Sequence, residues 1–180
     1  MTERITKKQL VAMIQAFEAV NAIGGSAVRG QPKGTVDVCR EFLTELNLAE
    51  IPHQSPMAFG KWLDQQTRRL RGRLPSPKKP WGIARKALNL FLRSCLYNRF
   101  ISERYRLHRI EPWLEIPLDG VVARELKKRA GRGRLPHWLG LKGVTPEESY
   151  AFQQFALEYA ARRDLPARVF LDNYLWLQGR

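Results

Sequence analysis

The sequence predicts an all-α protein of about seven helices. Apolar residues recur at helical spacing along nearly the whole chain. No segment alternates apolar and polar residues as a half-buried strand does. Helix-start signals punctuate the pattern, among them Ser55-Pro56 and the capping-box residues Thr145-Pro146-Glu147-Glu148.

The first helix is expected from about Thr6 to Asn21, with Leu10, Met13, Ile14, Phe17 and Val20 as its buried face. Gly24-Gly25-Ser26 and Gly30-Gln31-Pro32-Lys33-Gly34 then form a loop. Val36, Cys39, Phe42, Leu43 and Leu46 mark a second helix. Ser55 caps a third that runs towards Arg71 and buries Phe59, Trp62 and Leu63. Pro75, Pro77 and Pro80 break the chain before a long helix from about Trp81 to Tyr105. That helix is apolar on nearly every side, which marks it as central, and its one polar strip carries Arg85, Lys86, Asn89 and Arg93. A loop over 110–118 precedes a short helix from about Asp119 to Ala130, stopped by Gly131. Thr145 opens the next helix, through Phe152, Phe155, Ala156 and Tyr159. Pro166 opens the last, with Val169, Phe170, Tyr174 and Trp176.

The 180 residues are expected to form one domain over 1–180. The net charge of +14 and the isoelectric point of about 10.4 favour a polyanionic partner, above all nucleic acid. Cys39 and Cys95 lie far apart inside helical patterns, as buried thiols of a reducing compartment do. With three scattered histidines and two cysteines, no zinc site of standard spacing forms. No apolar run is long enough to span a membrane, and the N-terminus lacks the apolar stretch of a signal peptide. The expected location is cytoplasmic and nucleoid-associated.

Chemistry concentrates on two residues. Lys86 sits at the border of the polar strip on the long apolar helix, and Asp119 stands at the start of a helix 33 positions later. An amine attacks only when unprotonated, so it needs partial desolvation or a cationic neighbour, and Arg85 and Arg93 are near in sequence. A capping aspartate is held in place by its cap bonds. Singly, such residues are ordinarily a snorkelling surface lysine and a plain N-cap.

Together, in this order, spacing and context, Lys86 and Asp119 resemble the active site of helix-hairpin-helix DNA glycosylases, with closest resemblance to the archaeal 8-oxoguanine DNA glycosylase family. The resemblance covers mainly Trp81 to Ala130. It implies that Lys86 forms a Schiff base with the sugar C1′, that Asp119 assists, and that the two groups stand within hydrogen-bond to one-water range. It implies duplex DNA with a damaged or modified base as partner, a flipped purine such as 8-oxoguanine as substrate, and no metal or organic cofactor. In that family a C-terminal helix supplies an acid and a ring that recognise the extruded base. Asp172 and Trp176, four positions apart and so on one helical face, match those roles. Gln15, Trp62 and Trp81 are further residues able to reach a base pocket. Pro75 to Gly82 stands where the wider superfamily carries a glycine-rich hairpin.

Two basic clusters flank the pair in sequence. The expected DNA contacts are Arg71, Arg73, Lys78, Lys79 and Arg85 from the first and its neighbourhood, and Lys127, Lys128 and Arg132 from the second, where Arg124 also lies. Rival readings are a non-catalytic basic helical DNA- or RNA-binding protein, a glycosylase acting on modified phage bases, and a helical ribonuclease built on the Arg132…His137 spacing. The binding module expects Lys86 and Asp119 not to meet.

Overall fold

The computed structural model describes residues 4–179. The described residues form eight α-helices: α1 (Lys7–Ala22), α2 (Thr35–Glu45), α3 (Pro56–Arg73), α4 (Trp81–Tyr97), α5 (Arg99–Tyr105), α6 (Gly120–Ala130), α7 (Pro146–Ala161) and α8 (Leu171–Gln178). Single 3-10 turns stand at Leu48–Glu50, Leu107–Arg109, Glu111–Trp113 and Arg168–Phe170. No described residue is in a strand, so the fold is all-α. No helix among the described residues is long and apolar enough to cross a membrane.

Local chemistry explains the boundaries. Ser55 accepts from Ala58 N at 3.1 Å, with Pro56 at the first helical position of α3. Thr145 and Glu148 complete the capping box that starts α7. The helix expected from Trp81 to Tyr105 is two helices. Asn98 ends α4, and its side chain accepts from Ile101 N at 3.2 Å to begin α5. An asparagine that offers its carbonyl to the next turn favours a cap over helix interior. The last helix starts at Leu171 rather than Pro166, after the 3-10 turn Arg168–Phe170. The 110–118 loop likewise contains a 3-10 turn of its own.

The first helix corrects the sequence reading more deeply. α1 has the expected span, but its buried residues are Val11, Gln15, Glu18 and Ala19. Leu10, Met13, Phe17 and Val20 are exposed, and only Ile14 of the expected face packs against the core. Polar partners decide this. Gln15 Nε2 donates to Leu43 O at 3.0 Å, Thr44 O at 3.1 Å and Leu46 O at 2.7 Å, occupying carbonyls left open where α2 ends. Glu18 accepts from Ser94 Oγ and, at 2.8 Å, from Asn98 Nδ2, tying α1 to the end of α4.

The buried side chains fall into two hydrophobic clusters. The larger is built by α1 to α5 with Leu107, Ile110 and Leu114. The smaller gathers Ile116 and Leu118 with α6, α7 and α8. Helix α4 is central as expected: every residue from Gly82 to Asn89 is buried. Gly82 is needed there. A Cβ on it would stand 2.6 Å from Leu141 O, so only glycine lets the loop before α7 cross the start of α4. Cys39 and Cys95 are free and buried, and burial pushes the Cys39 thiol up to about 12.

Candidate active site

A cavity of about 880 Å³ opens between residues of the two clusters. The larger cluster's side supplies Lys86, Leu90 and Arg93 of α4, and Asn21, Ala22 and Arg29 at and beyond the end of α1. The smaller cluster's side supplies Asp119, Gly120, Val121 and Arg124 around the start of α6, and Asp172, Asn173 and Trp176 of α8. All four residues singled out for sugar chemistry and base recognition therefore line one cavity.

Lys86 Nζ lies 3.5 Å from Asp119 Oδ2. Lys86 is buried, with 7% of its surface exposed, because the helix that carries it is surrounded by other elements. Burial lowers its pKa below 10.5 and the nearby Arg93 lowers it further, while Asp119 acts in the opposite direction; the balance is a lowered value. Asp119 is held rigidly. Its Oδ1 accepts from Val121 N and Val122 N, both at 2.9 Å, capping α6. One carboxylate oxygen is thus committed to the backbone and the other faces the amine. The distance is longer than that of a normal hydrogen bond, so Asp119 offsets only part of what burial takes from the ammonium.

Asp172 is buried and ion-paired with Arg93, whose Nε has no hydrogen-bond partner among the described residues. Trp176 lies beside it on the cavity wall, half exposed, rather than packed into the core. The electrostatic environment is dominated by cations: Lys86, Arg93, Arg29 and Arg124 against Asp119 and Asp172. Arg29 and Arg124 are exposed and have no hydrogen-bond partner among the described residues.

Compared with family models, curated proteins and solved structures, the chain matches none of them. The site stands on its own geometry.

That geometry separates residues the sequence grouped together. Arg85, one position from Lys86, points away from the cavity. Its guanidinium holds Glu115 through two contacts at 2.7 and 2.8 Å, Asp64 at 2.8 Å and Thr67 Oγ1 at 3.0 Å. Burial alone would raise the pKa of Glu115, but Arg85, Arg168 and Asn89 hold it below the usual carboxylate range. Arg85 is a structural ion-pair residue whose guanidinium is taken up by Glu115, Asp64 and Thr67, and it does not line the cavity that Lys86 shares with Asp119.

The other expected DNA contacts differ in availability. Arg71 Nε donates to Lys79 O at 2.6 Å and Lys79 Nζ donates to Gly72 O, which closes the proline-containing turn between α3 and α4. Arg73 pairs with Glu45 at 2.7 Å, and Lys127 donates to Pro136 O at 2.8 Å. Lys78, Lys128 and Arg132 are exposed, and none of these basic residues lines the cavity. Gln15, Trp62 and Trp81 do not reach it either: Gln15 closes α2, Trp62 is buried in the larger cluster, and Trp81 lines a different cavity with Arg85.

The clearest omission from the sequence reading is the pairing role of Arg93. It stands two helical turns after Lys86, so the two share a face of α4, and that spacing was a usable signal. Arg29 and Asn21 carried no such signal, because a loop's destination is not written in its periodicity.

Proposed function

We propose that this protein is a DNA glycosylase with AP-lyase activity, acting on an extruded modified purine, by default 8-oxoguanine. The observation that carries this reading is the approach of a buried, pKa-lowered Lys86 to Asp119 at 3.5 Å inside a cavity that also takes in Asp172 and Trp176. The cavity's volume is in the range that encloses a small ligand.

In this reading the target nucleotide swings out of the duplex, because stacking hides both C1′ and the base edge. Arg29 and Arg124 at the cavity wall meet phosphates. The base stacks on Trp176, and Asp172, steadied by Arg93, accepts from its N–H groups. Asp119 takes a proton from the Lys86 ammonium or stabilises positive charge growing on the sugar. The neutral amine attacks C1′, the C1′–N9 bond breaks, and the base leaves with a proton. The sugar ring opens to an iminium on Lys86. Loss of a C2′ proton then expels the 3′ phosphate, and hydrolysis returns the lysine.

A non-catalytic DNA-binding module shares the basic charge but gives a desolvated lysine no task. Borohydride trapping on duplex DNA carrying an abasic site separates the two. Wild type is expected to form a covalent adduct, and Lys86→Gln to lose it by about a thousandfold or more while still binding DNA. Equal trapping by both proteins removes Lys86 from the reaction. No trapping and no base release by wild type, on abasic or 8-oxoguanine duplexes, refutes the glycosylase reading.

A further inference from the structure

Helix α1 is built inside out. It buries Gln15 and Glu18, yet Leu10 is 39% exposed, Met13 57%, Phe17 62% and Val20 48%, with Ile5 just before the helix at 63%. At 100° per residue the four helical side chains fall within one narrow arc, roughly opposite the buried arc of Val11, Gln15 and Ala19. Their spacing is that of positions a, d, a and d of a heptad, the seam of a helix pair. The five side chains leave on the order of 500 Å² of apolar surface uncovered, at the upper end of what monomers carry.

We propose that this stripe is the interface of a homodimer, in which α1 of one copy packs antiparallel on α1 of a second. Three observations select this occupant. First, the steps between the four residues are three, four and three, the same read in either direction. An antiparallel pair therefore sets Leu10 of one copy against Val20 of the other and Met13 against Phe17, a self-complementary match that closes by two-fold symmetry. Second, the face is neutral in a chain of charge +14. The residues flanking the seam are Gln9, Ile14, Ala16 and Asn21, all uncharged. The helix's charges are confined to Lys7 and Lys8 in its first turn and to Glu18, which is buried on the opposite side. An antiparallel arrangement keeps the lysine ends of the two helices about 20 Å apart, well beyond the screening length at physiological salt. A surface for DNA or for an anionic membrane would carry lysine or arginine along the stripe instead. Third, two such patches together reach the roughly 1,000 Å² that a specific interface needs.

The consequence reaches the cavity, since Asn21 and Ala22 at the end of the same helix form part of its wall. Pairing would brace that wall without adding a residue to the chemistry.

Sedimentation velocity tests the proposal. Wild type should move from the mass of one 20.8 kDa chain towards twice that mass as concentration rises to roughly 100 µM. Phe17→Lys and Met13→Lys place a charge on an already exposed position, so helicity and the Tm of the single chain, measured at low protein concentration, should be unchanged. Each should weaken association by about a hundredfold. The double variant Met13→Cys/Phe17→Cys should oxidise to a covalent dimer, with little background from the buried Cys39 and Cys95. A wild type that stays at 20.8 kDa throughout, or a dimer that Phe17→Lys leaves intact, overturns the proposal. Either result leaves the Lys86 reading standing, because that chemistry needs only one copy.

Discussion

Helices α4 and α1 touch, and they treat polarity in opposite ways. Helix α4 buries charged residues, Arg85 and Lys86, next to each other on an apolar core helix. Helix α1 exposes its most apolar face and buries an amide and a carboxylate. In both, what decides whether a side chain is inside is the partner waiting for it, not its polarity. Gln15 meets three backbone carbonyls, Glu18 meets Ser94 and Asn98, and Arg85 meets Glu115, Asp64 and Thr67. Lys86 is the exception. Its one ion-pair partner among the described residues stands at 3.5 Å, and burial leaves its proton weakly held. A buried charge satisfied by good hydrogen bonds is architecture; one left loosely satisfied on a cavity wall is the arrangement that the proposed Schiff-base chemistry needs.

Three substitutions sharpen that contrast. The largest stability effect belongs to Arg85. Arg85→Ala takes from Glu115 its paired guanidinium, leaving only the Asn89 amide and the charge of Arg168, and should cost about 3–5 kcal/mol in urea denaturation. A loss below about 1 kcal/mol would mean that Arg85 is a surface residue like the other arginines. Next is Gln15→Ala, which leaves the end of α2 with unsatisfied carbonyls and should cost about 1–3 kcal/mol. Phe17→Lys on the opposite face of the same helix should stay within about 0.5 kcal/mol for the single chain, measured at low protein concentration. If Phe17 proves the costlier change there, the expected apolar face was core after all.

The smallest effect is read through pH. The folded pKa of Lys86 lies below its unfolded 10.5, so the unfolded chain holds this proton more tightly. The slope of unfolding free energy with pH is positive where the unfolded state binds more protons. Lys86 therefore favours the fold fully above pH 10.5, and this contribution is lost as pH falls through the folded pKa. Lys86→Met should accordingly be more stable than wild type at neutral pH, with the advantage shrinking as pH approaches 10.5. An advantage independent of pH in that window would show that burial of the amine is not what differs.

Legibility in the sequence followed the same division. Helical periodicity, the Ser55 and Thr145 caps and the Asp119 cap were all readable, since each is a local property of a few residues. The meeting of Lys86, Asp119, Asp172 and Trp176 on one cavity was legible only through their combined order and the resemblance it carries. The inverted face of α1 was not legible, because Gln15 and Glu18 read as solvated until the end of α2 and Asn98 are seen beside them. The break at Asn98 hid inside an apolar run for a related reason: one cap side chain is a weaker signal than the periodicity around it. Arg85 was misplaced because adjacent residues on a helix point about 100° apart, which takes neighbours of one strip to different sides of the fold.

The most direct test of the central claim is the position of the covalent bond. Wild-type protein is reacted with a duplex carrying an abasic site, reduced with borohydride, digested, and mapped by mass spectrometry. Lys86 as the nucleophile predicts a reduced sugar adduct on the peptide that contains it, absent in Lys86→Gln. An adduct on Lys78, Lys127, Lys128 or the terminal amine, with Lys86 unmodified, would contradict it.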